Sequence, residues 1–151
     1  MRAPVEPRGI AIARDVVRAV RVHARAAAPE ECCGFLIGRP GRVDFALRLT
    51  NQHRSPRTAF RVDPAEHIRV RRLLRLMRPA MEIVGVYHSH PSGPARPSAR
   101  DVAEASYADW VHLIAGHGGR TVRCFRIAGG VVTAVSVLDW PGRSPRAARE
   151  P

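Results

Sequence analysis

The stretch VGVYHSHPSGPARPSARD, residues 84–101, contains an apolar run that ends in two histidines, a proline-rich loop and an aspartate. The apolar, β-branched run predicts a central buried strand over residues 83–87, which Pro91 prevents from continuing. Alternate residues of a strand project to the same face, so His88 and His90 should point the same way. The strand therefore delivers two imidazoles to one place.

Two histidines on one strand face suit a metal ion. A catalytic zinc site takes three protein ligands and leaves one position for water. Asp101 is the candidate third ligand because it lies in the first turn of a helix predicted over residues 98–106. Prolines in the intervening loop lower the entropic cost of bringing this carboxylate back to the strand. The sequence predicts a Zn2+ site formed by His88, His90 and Asp101.

Each of these residues also has an ordinary structural explanation. An HxH pair at a strand end is often solvated polar surface, and Asp101 can simply close a capping box with Ser98. The conjunction of a buried strand, a proline-braced loop and a Ser-x-x-Asp helix start favours the metal site.

A hydrolytic zinc site also needs a base and a group that stabilises an oxyanion. Glu30 and Glu31, in the stretch PEECCGFLIG, are candidate bases, and the sequence alone does not choose between them or exclude a solvated acidic pair. Ser98 is the candidate oxyanion partner, with helix capping as its alternative.

The set Glu31, HSHP at 88–91 and PSARD at 97–101 resembles the JAMM metallopeptidase family, also called MPN-plus or Mov34/MPN/PAD-1. The resemblance extends from the first predicted helix to the last predicted strand. It implies an α/β (α+β) fold with a mixed β-sheet flanked by helices, similar to that of cytidine deaminase.

The resemblance also implies the role of each motif residue. The pattern Pro29-Glu30-Glu31 matches the family at the catalytic base, which selects Glu31 over Glu30. Glu31 would deprotonate the water at the open position of the zinc and pass the proton to the leaving amine, while Ser98 supports the tetrahedral intermediate. The motif histidines and aspartate would hold the zinc: His88, His90 and Asp101.

A segment N-x(4)-P-x(3)-F-x-x-D-P is typical of the small prokaryotic branch of this family and is filled by Asn51, Pro56, Phe60, Asp63 and Pro64. The branch implies a ubiquitin-like or ThiS/MoaD-type sulfur-carrier partner, cut after its C-terminal Gly-Gly. A tail without side chains can enter a narrow groove and pair with a strand edge. A homodimer remains one candidate assembly.

The rest of the chain predicts a helix over 10–28, strands at CCGFLIG, VDFALRLT and TAFRV, and a helix from Asp63 to about Arg78. Three strands follow, VHLIAG, TVRCFRIA and VVTAVSVL, of which the last two are joined by a Gly-Gly turn. The remaining histidines, among them His67 and His112, are predicted to be surface or structural residues. Trp110 is predicted to pack or to line the substrate groove.

The length of 151 residues fits one domain, predicted over 1–140, with a Pro/Arg-rich tail at 141–151 that is predicted to be disordered. The net charge of +12 comes from arginine alone, since the sequence has no lysine. Three cysteines argue against a disulfide scaffold, and no leader or membrane-spanning run is evident, so a cytoplasmic protein without a membrane partner is expected.

Two other functions remain open at this stage. The pattern HPSG-x(3)-PS-x-x-D also resembles RadC-like, nucleic-acid-associated relatives, and the chain is strongly basic. The chain lacks room for their extra DNA-binding region, so a nucleic-acid partner is not expected. A non-catalytic module that holds zinc and binds a carrier protein is the second alternative.

Overall fold

The computed structural model describes residues 9–142, so residues 1–8 and most of the predicted tail, 143–151, lie outside the described part. Within it the elements follow in the order β1 (Gly9–Ala13), α1 (Arg14–Ala27), β2 (Cys33–Arg39), β3 (Arg42–Leu49), α2 (Pro64–Leu76), β4 (Glu82–His90), α3 (Ala99–Glu104), β5 (Val111–Gly116), a 3₁₀ turn (His117–Gly119), β6 (Thr121–Ala128) and β7 (Val131–Trp140).

The described strands form one mixed sheet that curls until its ends meet. Its order is β1-β3-β2-β4-β5-β6-β7, and β1 pairs with both β3 and β7. The pairs β1–β3, β1–β7 and β4–β5 are parallel and the others antiparallel. This confirms the predicted mixed sheet flanked by helices.

Two apolar clusters cover the two sides of the central strands. The first lies under α1 and contains Val16, Val20 and Tyr87, while the second lies under α2 and contains Val70 and Leu74. From Val86 onward the side chains of β4 alternate between these sides: Val86 belongs to the second cluster and Tyr87 to the first. The same alternation places His88 and His90 on the α2 side.

The start of the chain corrects one prediction. Residues 10–13 belong to β1, and the helix begins only at Arg14. Ile10 and Ile12 are buried in the core, and the backbone of β1 finds partners on both sides. Pairing with two neighbouring strands therefore outweighs the helical spacing of the apolar residues, although the predicted helix stripe is confirmed from Val16 onward.

The predicted strand TAFRV is also wrong. Residues 58–62 form an irregular loop, whose backbone is held by the side chain of Asn51. The Asn51 amide donates to the carbonyl of Ala59 at 2.9 Å and accepts from the N–H of Arg61 at 3.1 Å. These bonds satisfy backbone groups that a strand ladder would otherwise use, so the strand propensity of the segment is overridden.

The other predicted elements are confirmed, with ends that shift by one or a few residues. Asp63 caps α2 by accepting from the N–H of Ala65 at 3.0 Å, with Pro64 in the first turn. Gly129 and Gly130 join β6 to β7, and both have positive φ, as a tight hairpin turn requires. The three cysteines are free and buried. No helix between residues 9 and 142 has the length and apolar run needed to cross a bilayer.

Candidate metal and catalytic site

The side chains of His88, His90 and Asp101 converge at the C-terminal end of β4. The distance from His88 Nε2 to His90 Nε2 is 3.1 Å, and each of these atoms lies 3.2 Å from Asp101 Oδ2. A tetrahedral zinc ion with bonds of about 2.0–2.1 Å separates its ligand atoms by about 3.3 Å. The three atoms therefore form a triangle of the size of one tetrahedral face, and the set fits zinc.

The two imidazoles are oriented by contacts on their other sides. His90 Nδ1 lies 2.9 Å from the carbonyl of Pro94, so the proline-rich loop can hold the tautomer that leaves Nε2 free for a metal. His88 is stacked on Phe60, with ring centroids 4.6 Å apart. Among the described residues no hydrogen-bond partner reaches the buried Nδ1 of His88.

Asp101 combines the metal-site geometry with the capping role that its sequence position also suggested. Oδ2 accepts from the backbone N–H of Ser98 at 2.8 Å, while the N–H of Asp101 donates to Ser98 Oγ at 3.1 Å. This is a complete capping box at the start of α3. The two explanations are therefore compatible, because the box fixes the carboxylate where it meets both histidines.

The contact between Asp101 and His90 favours the charged form of each group. Burial by itself would raise the pKa of Asp101, but hydrogen bonds to His88 and His90 hold that pKa well below its usual range. The hydrogen bond to Asp101 raises the pKa of His90. Asp101 is therefore a carboxylate at neutral pH, which is the state that a metal ligand needs.

Glu31 lies two residues before β2, at the same end of the sheet as the histidines. Cys33 is paired with His88 across the β2–β4 ladder. Glu31 is 6% exposed, whereas Glu30 is exposed. Burial raises the pKa of Glu31, and the nearby charges of His88 and His90 oppose the rise. The structure thus separates the two glutamates by burial and brings Glu31 into the field of the cluster.

The backbone of Glu31 is fixed by the irregular loop. Its N–H donates to the carbonyl of Pro56 at 2.7 Å, and its carbonyl accepts from the Asn51 amide at 3.1 Å. The next residue, Cys32, is tied to β4, because its N–H donates to Ser89 Oγ at 2.8 Å and its carbonyl accepts from the N–H of Ser89 at 3.1 Å.

Ser98 is exposed at the start of α3, and its Oγ acts as an acceptor in the capping box. A hydroxyl that accepts one hydrogen bond keeps its own O–H as a donor. Capping therefore leaves Ser98 able to donate toward a group bound beside Asp101.

An aromatic cavity of about 380 Å³ opens beside the metal-binding set and is lined in part by His88 and Asp101. Most residues that line this cavity were not predicted from the sequence, because aromatic residues in loops have no regular spacing that would mark them. Trp110 was predicted either to pack or to line the substrate groove. It lines this cavity and also packs against the ring of Phe35. The remaining lining residues are Phe35, Phe60, Arg61, Val62, His67, Val86, Glu104, Ala105, Ser106, Tyr107 and His112.

Two histidines predicted as surface or structural residues lie in the wall of this cavity. His67 contacts the rings of Phe35 and Trp110. His112 is buried on β5, and its burial lowers its pKa to about 4, so it is neutral at physiological pH. Both residues therefore shape the space next to the candidate metal site.

Residues 13–128 match a family model described as prokaryotic homologues of the JAB domain. The chain is 36% identical over 127 residues to a protein of Thermus thermophilus named "Probable TtuB-protein conjugate cleaving protease", with 84% of this chain and 82% of the relative covered. It is also 36% identical over 130 residues to the CysO-cysteine peptidase of Mycobacterium tuberculosis, with 82% and 86% covered.

Solved structures share the fold. Protein DSY2949 from Desulfitobacterium hafniense superposes with a TM-score of 0.78 at 27% identity, covering 93% of this chain and 99% of the other. A structure described as "JAMM: A Metalloprotease-like Zinc Site in the Proteasome and Signalosome" superposes with a TM-score of 0.55 at 19% identity, covering 86% and 98%.

Proposed function

The chain belongs to the family of prokaryotic JAB-domain homologues, and from this membership we propose that it is a zinc-dependent peptidase. Its substrate is a ubiquitin-like or ThiS/MoaD-type sulfur-carrier protein, and it hydrolyses the bond that follows the C-terminal Gly-Gly. The observation that carries the proposal is the convergence of two histidines and an aspartate with a ligand-sized spacing beside a buried glutamate.

The relatives support the general class of reaction. Two of them, each covered over more than four-fifths of its length, are named as a conjugate-cleaving protease and as a peptidase. A third, from Haloferax volcanii, is named desampylase. These names support a hydrolase that acts on carrier-protein conjugates.

His88, His90 and Asp101 would hold the zinc ion through Nε2, Nε2 and Oδ2. When bound, zinc would supply Lewis-acid polarisation of the scissile carbonyl and make water acidic enough to attack near neutral pH. The protein contributes the fixed geometry, because the proline-rich loop orients His90 and the capping box orients Asp101.

Glu31 would act as the general base. Its carboxylate takes one proton from the attacking water, whose oxygen bonds to the carbonyl carbon of the terminal glycine. When the carbon–nitrogen bond breaks, Glu31 returns the proton to the leaving amine. The raised pKa of Glu31 suits both transfers, since a base closer to neutral pH holds and releases a proton more readily. Ser98 would donate its hydroxyl hydrogen to the carbonyl oxygen.

The extended Gly-Gly tail needs a backbone partner, and β3 offers one. Among the described strands, residues 45–49 of β3 pair with β2 alone, because β1 pairs only with the start of β3. This stretch ends at Leu49, which is paired with Cys33, and Cys33 is paired with His88. A tail added along this edge would run toward the metal-binding end of the sheet.

The test uses a carrier protein that ends in Gly-Gly-X and follows the release of X by mass spectrometry. We expect turnover by the zinc-loaded protein, its loss with a chelator and its return with zinc. Glu31→Gln should reduce kcat by about 10²- to 10⁴-fold while zinc content and carrier binding are retained.

Glu30→Gln is the matched control, because it makes the same change one residue away at an exposed position. It should cleave at the wild-type rate. Equal loss in both variants would contradict the role of Glu31, and no cleavage of any Gly-Gly-X carrier by the zinc-loaded wild type would overturn the proposed function.

A further inference from the structure

The aromatic cavity has a position and a size that the Gly-Gly tail does not explain. Two of the three candidate metal ligands, His88 and Asp101, form part of its wall, so whatever fills it lies next to the scissile bond. Most of the remaining wall is apolar: Phe35, Phe60, Val62, Val86, Tyr107 and Trp110. His112 also lines it and adds no charge at neutral pH.

The substrate limits what can occupy this space. The two glycines before the scissile bond have no side chains, and the residue before them is about 7 Å or more away along an extended chain. The nearest side chain on either side of the bond therefore belongs to the residue that is released. A cavity of about 380 Å³ is large enough for a bulky side chain.

The rim of the cavity carries Arg61, whose guanidinium is free of hydrogen bonds and ion pairs among residues 9–142. Arg61 lines both the aromatic cavity and a second, adjoining cavity, and its side chain is exposed. Arg54 lines the second cavity too. Of the acidic residues, Glu104 lines both cavities and Asp101 lines the aromatic one.

Resting on the proposed function, we propose that the aromatic cavity binds the released residue, and that this residue is a single C-terminal amino acid with a large apolar side chain. Its side chain lies between the rings of Phe60, Tyr107 and Trp110. Its free α-carboxylate pairs with Arg61. The cavity thereby selects a carrier extended by one residue over a carrier joined to a lysine of another protein.

The preference over lysine follows from charge. The lysine of an isopeptide conjugate is joined through its side chain, and its own carbonyl is part of a peptide bond, so it offers no carboxylate to Arg61. A guanidinium binds a carboxylate through charge-assisted hydrogen bonds, which are stronger than those to a neutral amide. The flexible aliphatic stem of lysine also fills an aromatic cavity less well than an aromatic ring does.

Four versions of one carrier test this proposal. They end in Gly-Gly-Phe, Gly-Gly-Phe-amide, Gly-Gly-Ala, and Gly-Gly joined to the ε-amine of a lysine in a short peptide. We expect kcat/KM for the Phe acid to exceed that for Ala by about 10- to 100-fold, because the Phe ring is buried on binding. The Phe acid should exceed the Phe amide by about tenfold, which measures the carboxylate contact.

Two variants assign these preferences to residues. Arg61→Gln should reduce kcat/KM for the Phe acid by about tenfold more than kcat/KM for the Phe amide, so that the acid-over-amide preference is lost. Arg72→Gln, an exposed arginine on α2 that does not line the cavity, is the matched control and should keep the preference. Tyr107→Ala should reduce the Phe-over-Ala ratio, since Tyr107 is stacked on Trp110 in the wall.

The outcomes separate this inference from the proposed function. If the wild type cleaves the Phe acid, the Phe amide and the Ala carrier at equal rates, or if the lysine-linked carrier is the best substrate, the cavity assignment is wrong although the peptidase activity stands. An equal effect of Arg61→Gln on acid and amide would also overturn it. Cleavage of none of the four carriers would remove the proposed function itself.

Discussion

The candidate site is built from two regions that differ in how their backbone is held. On one side, β2 and β4 form a regular ladder that presents both histidines and ends in reciprocal bonds between Cys32 and Ser89. On the other, residues 50–63 are irregular and are held largely by the side chain of Asn51. The strand side supplies two of the three candidate metal ligands, His88 and His90, and the loop side holds the backbone of Glu31 beside them.

This difference shows that the two parts of one site can depend on very different numbers of hydrogen bonds. Many backbone hydrogen bonds of the β2–β4 ladder hold the strand side, so the strands stay in place when one of these bonds is lost. On the loop side one side chain makes most of the side-chain hydrogen bonds to the backbone: Asn51 bonds to Glu31, His53, Pro56, Ala59 and Arg61. The loop also delivers the ring of Phe60 to His88. A single substitution should therefore disturb the loop side far more.

The sharpest test of the strand side is removal of a ligand. His90→Ala should abolish zinc binding and reduce turnover of a Gly-Gly-X carrier to background, because two protein ligands do not hold the ion in the required geometry. The fold should persist, since the His90 side chain lies at a strand end and is not fully buried. Zinc content is measured by atomic emission and turnover by mass spectrometry.

His117→Asn provides the control for this variant. His117 is an exposed histidine with a positive φ that asparagine tolerates. The His117→Asn protein should retain zinc and activity. Full turnover by the zinc-free His90→Ala protein would show that the strand side does not act through a metal.

Asn51→Ala tests the loop side. It removes side-chain hydrogen bonds to five backbone groups, so we expect the free energy of unfolding to fall by about 2–4 kcal/mol. Activity should fall further than stability explains, because the backbone of Glu31 loses a contact that fixes it. Urea denaturation gives the stability, and kcat at a temperature where the variant is folded gives the activity.

Gln52→Ala is the matched control, since Gln52 is exposed and adjacent. Its stability should stay within about 0.5 kcal/mol of the wild type. Comparable losses in both variants would mean that the loop does not depend on Asn51, and the contrast between the two sides would disappear.

Ser89→Ala tests the strand side at its buried polar contact. The substitution leaves the N–H of Cys32 without its hydroxyl partner, but the bond from the N–H of Ser89 to the carbonyl of Cys32 remains. We expect a loss of about 1–2 kcal/mol in the free energy of unfolding, less than for Asn51→Ala. A larger loss than Asn51→Ala, measured under the same urea conditions, would reverse the comparison.

The sequence predicted the strand side well and the loop side poorly. Alternation and the position of Pro91 were enough to place His88 and His90 together, because strand geometry has a fixed period. The prediction of a strand at residues 58–62 was wrong because strand propensity is a property of neighbouring residues. The hydrogen bonds from Asn51 that override it reach residues eight and ten positions away. The same limit hid β1, whose pairing with β7 spans almost the whole chain.

The site residues show the same division. The spacing from His90 to Asp101 marked both as ligand candidates, and the structure brings them together. The resemblance selects Glu31 over Glu30. The catalytic roles of Glu31 and Ser98 are predictions. The cavity residues Arg61 and Tyr107 had no motif to mark them, because their proximity to the histidines arises only from the packing of loops against the sheet.

The single oxygen of Asp101 that closes the capping box also faces the two histidines, so its position depends on the folding of α3. One ligand of the proposed zinc site is therefore held by the backbone of a helix start and not by the ion alone. We expect zinc to exchange without unfolding of the protein, unlike in a zinc finger, which folds only around its metal.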